Sequence, residues 1–287
     1  MVLVSVIIPG FNHAQYLRQR IDSVLNQSYH DFELIILDDC STDESREIID
    51  EYVKLFPGIS IHYNKNNSGN TFRQWDFGVK KARGEYIWIA ESDDYAKHDF
   101  LEKASSVLSA NANLGFVYSN SKIIDENKNS EYLVSDLRKS MHETKWSYDY
   151  QNNGLDEFRN FLYLNNTINN VSGVLFRKSK YIDAGYADHS MKYCGDWFLY
   201  LRLLLISDVA YISEPLNVIR FHNRSTSNYY FKTGIYFREV LRIYGFIVSK
   251  VILTPSKKLG MARILLGILH QRLISFLNTL NRKPLHL

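Results

Sequence analysis

Buried strands alternate with helical periodicities through the first third of the chain, and this alternation restricts the fold more than any other feature. Val2–Ile8 is a continuous apolar, β-branched run, as expected of a strand that is buried on both faces. Phe32–Leu37 and Tyr86–Ala90 have the same character, and Ile59–Tyr63 is a shorter strand between them. Apolar residues at helical spacing separate these runs. The sequence therefore predicts an α/β fold with a mostly parallel central sheet and helices on both faces.

Local signals predict where two of the helices begin and end. Ser41 and Glu44 match a capping box, which predicts the start of the helix after the second strand. Gly84 follows the next helical periodicity and is expected to end that helix.

The alternation of predicted strands and helices is less regular beyond residue 124. Asp125–Asn153 is polar and is predicted to be a loop or a lid. Val171–Phe176 is a predicted strand, and a helix is expected to open at Gly195. Val209–Ile212 and Leu216–Phe221 are predicted as two short strands.

Polar residues gather where three of the predicted strands end. These are Pro9–Asn12, Asp38-Asp39 and Glu91–Asp94. Carboxyl ends of parallel strands face one crevice, which is where ligands bind in such sheets. Clustered carboxylates repel one another unless they share a cation or a ligand, and Mg²⁺ or Mn²⁺ would take their oxygens. The alternative is that the acids lie at a helix N-terminus, where they interact favourably with the helix dipole.

Composition narrows the class of protein. Hydrophobic residues make up 45% and charged residues 23% of the chain, which is typical of an ordered globular protein. The two cysteines cannot build a disulfide framework, so a reducing compartment is expected. No stretch reaches the ~18 uncharged apolar residues of a spanning helix. We therefore expect a cytoplasmic protein, in solution or peripheral on the cytoplasmic face of the inner membrane.

The C-terminal segment 231–287 is strongly basic. It holds ten Lys and Arg residues and one acid, Glu239, whereas the rest of the chain holds 24 basic and 30 acidic residues. The segment is also rich in Leu, Ile and Phe, which predicts amphipathic helices. These would contact an anionic membrane surface, or pack on the body or on a second subunit as a homodimer. Nucleic acid is not an expected partner, because the body is acidic.

Several motifs occur in a fixed order and together resemble glycosyltransferase family 2. They are Val4–Pro9 with Phe11-Asn12, Ser23–Ser28, Phe32–Asp43, Gly84–Ile87 before Glu91–Asp94, Ala184–Tyr186, Gly195–Trp197, and Glu214–Leu216 before Arg220–His222. The resemblance covers about residues 2–228. Because ordered motifs are far more specific than any one alone, the resemblance outweighs the individual alternatives.

The resemblance implies a GT-A fold, a nucleotide-sugar donor with uridine as the base, a divalent metal (Mn²⁺ or Mg²⁺) and inversion at the anomeric carbon. It implies a catalytic domain over 1–228, with a nucleotide-sugar half at about 1–124 and an acceptor half at about 125–228. Residues 229–287 would form a basic amphipathic helical extension. The acceptor would be a saccharide or a lipid-linked glycan, as in bacterial-type surface polysaccharide or lipopolysaccharide synthesis.

The resemblance also implies roles for single residues. The nucleotide-sugar site would comprise Pro9, Phe11, Asp39, Arg73, Glu91, Ser92 and Asp94. In it Asp39 would bind the base, between the walls made by Pro9 and Phe11. Asp93 would hold the metal with His222. Glu91 departs from the aspartate common at its position in the family, so its arm is longer by one methylene. Arg220, like Arg73, is a candidate diphosphate contact.

Asp196 falls where the family places its catalytic base. A carboxylate opposite the leaving group can take the proton of the attacking acceptor hydroxyl, and no enzyme nucleophile is needed. Asp196 could equally cap the helix that follows it, and Trp197 could stack on an acceptor sugar or belong to the core. His222 could likewise have a purely structural role, and Phe11 could pack in the core.

Two other functions are weighed against a transferase. A dinucleotide-dependent oxidoreductase is disfavoured by the turn Pro9–His13, which lacks the Gly-x-Gly-x-x-Gly pattern. A catalytically silent GT-A module that only binds a nucleotide sugar is the serious alternative. The presence of both Asp93 and Asp196 favours an enzyme.

Overall fold

The structure is a computed structural model that describes residues 3–168, 170–222 and 234–280. Its strands are β1 (Val4–Gly10), β2 (Phe32–Asp38), β3 (Ser60–Tyr63), β4 (Tyr86–Ile89), β5 (Tyr95–Ala96), β6 (Leu114–Asp125), β7 (Ser130–Leu133), β8 (Tyr150–Asn152), β9 (Val174–Arg177) and β10 (Asp208–Phe221). Its helices are α1 (Ala14–Leu25), α2 (Ser45–Leu55), α3 (Thr71–Lys81), α4 (Phe100–Ala110), α5 (Val134–Arg138), α6 (Gly154–Glu157), α7 (Lys178–Asp183), α8 (Gly195–Leu203), α9 (Ile235–Lys250) and α10 (Pro255–Leu280).

The strands form one sheet in the order β3-β2-β1-β4-β9-β6-β10-β5, with β7 on β6 and β8 on β10. The first half is parallel: β1 pairs with β2 on one side and with β4 on the other, and β2 pairs with β3. β9 runs antiparallel between β4 and β6, and β6 pairs in parallel with β10. The predicted α/β fold with a mostly parallel central sheet is confirmed.

Successive residues of β1 explain why the sheet is buried on both faces. Val6 and Ile8 belong to one core, together with residues of α1, α2 and α4. Ile7 belongs to the other core, which includes residues of α3, α8 and α9. Side chains alternate between the faces of a strand, so an unbroken apolar run is what two covered faces require. Both faces fix β1, and with it the loop that leaves its carboxyl end.

The two local helix signals have other roles than those predicted. α2 begins at Ser45, and the hydroxyl of Ser41 instead accepts a hydrogen bond from the Asn12 backbone N–H at 3.0 Å. α3 ends at Lys81, before Gly84. A Cβ at Gly84 would lie 2.6 Å from the backbone nitrogen of Ser5, so glycine allows the chain to approach β1.

Two predictions for the second half were also wrong in detail. The polar segment 125–153 contains β7, α5 and β8 rather than a loop alone. The two short strands are one long strand, β10, whose register shifts on both sides of Pro215. The bulge accommodates a proline, which has no N–H to donate, and polar Ser213-Glu214 before it, so the sequence resembled a break.

The C-terminal helices pack on the body of the protein. Val240, Ile243 and Ile247 of α9 are fully buried in the larger core, and Met261 and Ile268 of α10 join it. α9 is therefore part of the main core. No helix in the described ranges has the length and the apolar character needed to cross a bilayer.

Candidate active site

The carboxyl ends of β1 and β2 are tied together by their turns. Asn12 and Cys40 both adopt left-handed backbone conformations, with φ of 56° and 66°, directly after the two strands. The side-chain oxygen of Asn12 accepts a hydrogen bond from the Thr42 N–H at 2.8 Å. Asparagine tolerates this conformation better than most residues, which suits it to the turn. The turns carry Pro9, Phe11 and Asp39 to one edge of the sheet.

Two cavities open at this edge. The first, which we call the Asp39 cavity, has a volume of about 310 Å³ and is lined by Pro9, Phe11, Asp39, Asn67, Glu91 and Ser92 among others. The second, the Asp196 cavity, has a volume of about 460 Å³ and is lined by Asp93, Asp94, Asn166, Asp196, Trp197 and Arg220 among others. His13, Thr71, Glu91 and Lys192 line both. The two cavities are therefore neighbours, and the acidic loop 91–94 lies at their boundary.

Asp39 is held firmly in the wall of its cavity. Its Oδ1 accepts hydrogen bonds from Asn64 at 2.6 Å, from the Ser68 N–H at 2.8 Å and from Gln74 at 3.0 Å. Its Oδ2 accepts one, from the Ser68 hydroxyl at 2.7 Å. Oδ2 has two lone pairs and accepts a single hydrogen bond among the described residues, so it retains capacity for a ligand.

The other members of the predicted base pocket differ in their surroundings. Phe11 is 42% exposed beside Asp39, so its ring face is accessible from the cavity. Asp38 has a structural role: it is buried, forms an ion pair with Arg46 at 2.7 Å and accepts the Ser41 N–H. Of the two adjacent aspartates, Asp39 lines the cavity and Asp38 supports the turn.

Glu91 bridges the two cavities. Its Oε1 accepts a hydrogen bond from the Trp75 indole N–H at 2.6 Å. Burial, reinforced by the charge of Asp93, raises the pKa of Glu91 to about 8. The longer arm of glutamate allows this contact with α3, which explains how the departure from aspartate is accommodated.

Asp94 ties the loop 91–94 to later parts of the chain. Its Oδ2 accepts hydrogen bonds from Asn170 and from the Ser172 hydroxyl, both at 2.8 Å, and its Oδ1 accepts the Arg220 N–H at 3.1 Å. Burial and the neighbouring Asp93 raise the pKa of Asp94 to about 6. These hydrogen bonds lie within the protein, which favours a supporting role for Asp94 over the predicted contact with the nucleotide sugar.

Asp93 lies between two imidazoles. Ligand atoms of His13, Asp93 and His222 are all within 4.8 Å of one another, and His222 Nε2 is 3.3 Å from Asp93 Oδ2. Burial acts to raise the pKa of Asp93, but the His222 hydrogen bond and the charges on both imidazoles outweigh it and lower that pKa. One carboxylate and two imidazoles can hold a divalent metal ion, and such a set leaves coordination positions for phosphate oxygens. The residues therefore fit a divalent metal.

The sequence analysis missed two residues of this region. His13 lies three residues after β1 and hydrogen bonds to Ser92 at 2.7 Å, so its place shortly after a strand end was the available signal. Arg20 is fully buried under the acidic loop and donates from Nε to the Glu91 carbonyl at 2.8 Å. It is a basic residue on the apolar stripe of α1, and its charge faces those of Asp93 and Asp94.

The two arginines predicted as diphosphate contacts differ in position. Arg220 lines the Asp196 cavity, and its guanidinium donates to the Asp93 carbonyl at 2.7 Å. Arg73 is exposed on α3 and is not among the described residues that line either cavity. Only Arg220 is brought to the acidic loop.

Asp196 projects into its cavity from the first turn of α8. Its Oδ1 accepts the Trp197 N–H at 2.7 Å and its Oδ2 accepts a hydrogen bond from Asn166 at 2.9 Å. Burial raises the pKa of Asp196 to about 7, against the opposing effect of these two hydrogen bonds. A carboxylate of this basicity can remove a proton near neutral pH.

Trp197 belongs mainly to the core. It is 3% exposed, and its indole N–H donates to the Leu162 carbonyl at 2.9 Å. Its ring meets Tyr244 of α9 edge to face at 6.1 Å. It contributes to the cavity wall, but little of its surface is open for stacking on a sugar.

Comparison with known proteins decides the family. The family model "Glycosyl transferase family 2" matches residues 5–182 of the chain. The chain belongs to glycosyltransferase family 2. An uncharacterized glycosyltransferase of Rickettsia typhi is 30% identical over 233 residues, which is 79% of this chain and 66% of that protein. The chain spans 40–66% of the length of the first four curated relatives that it matches.

Solved structures confirm the GT-A fold of this family 2 chain. Staphylococcus aureus TarS residues 1–349 in complex with UDP-GlcNAc superposes with a TM-score of 0.71 at 18% identity, over 92% of this chain and 71% of that one. The mannosyltransferase PcManGT of Pyrobaculum calidifontis, in complex with GDP-Man and Mn²⁺, superposes with a TM-score of 0.66 at 14% identity, over 98% and 76%. At these identities the likeness establishes the fold.

Proposed function

We propose that this chain is an inverting glycosyltransferase that moves a sugar from a nucleoside-diphosphate sugar to an acceptor hydroxyl. The observation that carries the proposal is the pair of neighbouring cavities. One offers a buried carboxylate and an accessible aromatic ring, Asp39 and Phe11, and the other offers a basic carboxylate, Asp196. The acidic loop with Asp93 lies between them, where a diphosphate would have to be held.

The donor would bind across the boundary of the cavities. Phe11 stacks on the base, Pro9 forms the opposite wall, and Asp39 Oδ2 accepts a base N–H. The nucleotide-sugar diphosphate then reaches the loop 91–94. A divalent metal held by Asp93, His222 and His13 would supply Lewis-acid stabilisation of the charge on the leaving phosphate. Ser92 holds His13, and Arg220 and Asp94 hold the loop in place.

The acceptor would enter the Asp196 cavity. Its hydroxyl oxygen attacks C1 of the donor sugar, the bond from C1 to the phosphate oxygen breaks, and the proton passes to the Asp196 carboxylate. Attack from the side opposite the leaving group inverts the configuration at C1. Asn166 holds Asp196 in the cavity wall by its hydrogen bond to Oδ2.

The relatives support a choice of substrates. TarS of S. aureus carries the name poly(ribitol-phosphate) beta-N-acetylglucosaminyltransferase, is 29% identical to this chain over 110 residues, and has been solved with UDP-GlcNAc. We therefore propose a UDP-sugar donor and, as acceptor, a saccharide or lipid-linked glycan of a bacterial surface polymer. A catalytically silent nucleotide-sugar-binding module is the alternative.

Nucleotide binding tests the proposal. We expect UDP with Mn²⁺ to raise the melting temperature more than GDP, dTDP or ATP, and more than UDP with EDTA. Ligand at about 100 times its Kd stabilises the native state by about 2.7 kcal/mol, which corresponds to about 4–5 °C for a chain of 287 residues. The measurement is a thermal shift in each condition. No shift with any nucleotide would contradict the proposal, and a shift with no sugar transfer to any saccharide tested would favour the silent module.

The C-terminal helices present an apolar and basic surface. Leu259 and Leu266 of α10 are 53% and 65% exposed, and Ile252 just before the helix is 96% exposed. Arg263 is exposed between the two leucines. Residues four and three apart lie on one helical face, so these three side chains of α10 form one stripe. Because the stripe is apolar and positive, we propose that it contacts an anionic membrane surface.

Vesicle binding tests this contact. We expect the double variant Leu259→Glu/Leu266→Glu to lose at least about tenfold in affinity for phosphatidylglycerol-containing vesicles, because burying one leucine contributes about 1.5–3 kcal/mol. Co-sedimentation measures the affinity. Leu55→Glu, at an exposed leucine of α2, is the matched control and should bind as the wild type does. Equal binding by both variants would contradict the proposal, as would light scattering that shows a wild-type dimer dissociated by the double variant.

A further inference from the structure

The one acid of the basic C-terminal segment is used inside the protein. Glu239 of α9 is 7% exposed. Its Oε1 accepts the Lys192 N–H at 2.6 Å, and its Oε2 accepts the N–H groups of Tyr193 at 3.0 Å and Cys194 at 2.7 Å. Hydrogen bonds from N–H groups to a carboxylate are among the strong ones in proteins. One carboxylate therefore holds three consecutive residues of a loop.

This loop leads directly into the candidate base. Cys194 is the residue before α8, and the side chain of Cys194 makes no capping hydrogen bond within the described residues. Glu239 thus places a negative charge at the N-terminus of α8, where it interacts favourably with the helix dipole. The next residue, Gly195, is packed so closely that a Cβ there would lie 2.5 Å from the Phe72 ring. Asp196 follows immediately, so its place depends on both contacts.

α9 also forms part of the cavity wall. Tyr236, one turn before Glu239, lines the Asp196 cavity and meets Tyr193 edge to face at 5.3 Å. Lys192, Tyr193 and Cys194, which Glu239 holds, line the same cavity. The segment 192–194 and a helix from the C-terminal segment therefore form part of the wall of the Asp196 cavity.

We propose that Glu239 is a positioning residue for Asp196, and that α9 completes the acceptor side of the active site. Glu239 holds the loop 192–194 so that the first turn of α8 presents the Asp196 carboxylate to the acceptor hydroxyl. The inference rests on the proposed transferase function, and it gives the C-terminal segment a part in catalysis besides surface contact.

Glu239→Gln tests the proposal. The amide group keeps the shape of the side chain but turns one acceptor oxygen into a donor that faces backbone N–H groups. We expect kcat for transfer to fall by about 10–100-fold, because small displacements of a catalytic group are costly. The melting-temperature shift with UDP and Mn²⁺ should be largely retained, since only Lys192 of the three residues lines the Asp39 cavity, and Glu239 holds it through its backbone N–H. Glu51→Gln, at an exposed helical glutamate, is the matched control.

A readout that does not depend on transfer separates this proposal from the function it rests on. Hydrogen exchange of a peptide covering 192–203 should accelerate in Glu239→Gln, and the buried thiol of Cys194 should become reactive, with Cys40 as the internal reference. If the wild type transfers no sugar, the exchange result still tests whether Glu239 holds the loop 192–194 in place. Unchanged exchange and unchanged kcat would overturn the proposal, as would loss of the UDP shift, which would indicate a general structural role. Should Glu239→Gln fail to fold, Glu239→Asp keeps the charge and provides a second variant. We expect it to lower kcat by a smaller factor and to retain the melting-temperature shift with UDP and Mn²⁺.

Discussion

Replacement of Asp196 by asparagine is expected to lower kcat for sugar transfer by about 10²–10⁴-fold, the range that a general base contributes. The amide keeps the size of the side chain and can still accept the Trp197 N–H, but it cannot take the proton of an acceptor hydroxyl. Nucleotide binding should survive, because Asp39 and Phe11 lie in the neighbouring cavity. Steady-state kinetics and the thermal shift with UDP and Mn²⁺ measure the two effects.

The pH profile adds a second readout to the Asp196 variant. The pKa of Asp196 is raised to about 7, so its active, ionised form is gained as the pH rises through that value. The ionised fraction should be about 10% at pH 6 and about 90% at pH 8, and wild-type kcat should rise accordingly. The residual activity of Asp196→Asn should lack this rise, and Asp156→Asn, at an exposed aspartate of α6, should keep it. A variant that retains the wild-type rate and profile would exclude Asp196 as the base.

Replacement of Asp93 by asparagine is expected to remove most of the Mn²⁺-dependent part of UDP binding. Asp93 supplies the carboxylate of the three-residue cluster, and both imidazoles are arranged around it. Since changes even to residues that support a metal ligand cost about 10–100-fold in metal affinity, loss of the ligand itself should cost at least about 100-fold. Calorimetric titration of Mn²⁺ in the presence of UDP measures this directly.

His13 and His222 can be separated in the same titration. His13→Gln and His222→Gln should each weaken Mn²⁺ binding, by less than the Asp93 variant does, because each leaves the carboxylate in place. Asp156→Asn again provides the control and should bind Mn²⁺ as the wild type does. Unchanged Mn²⁺ affinity in Asp93→Asn would contradict the assignment of this cluster as the metal site.

The fold class and the location of the site could be predicted because both follow from regular geometry. An unbroken apolar run such as β1 requires two covered faces, and parallel strands bring their carboxyl ends to one edge. That reasoning placed Phe11, Asp39 and the loop 91–94 at the same edge. It could not divide Asp38 from Asp39, because the partner of Asp38 is Arg46 on the following helix.

The residues that could not be predicted from the sequence make their contacts with distant parts of the chain. Arg20 meets the acidic loop across 71 residues, and Glu239 meets the loop before α8 across 45 to 47. No local periodicity encodes such pairs. The capping-box prediction failed for the same reason, since Ser41 is engaged by Asn12 from the neighbouring turn. The sequence held two local signs of such partners. Arg20 is a basic residue on the apolar stripe of α1, and Glu239 is the single acid of a basic segment.

The hydrogen bonds between Glu239 and residues 192–194 also bear on the order in which parts of the site can form during synthesis. The strands β1, β2 and β4 and the turn that carries Asp39 lie in the first third of the chain, whereas the loop 91–94 is also held by Asn170, Ser172 and Arg220. β10 and α9 come much later, and the Asp196 cavity needs both. Because folding can begin in the N-terminal part of a chain during synthesis, the strands around Asp39 can pair before α9 is made. A nascent chain that ends before residue 239 would lack the carboxylate that holds 192–194, so we expect the first turn of α8, with Asp196, to be ordered only after α9 has been made.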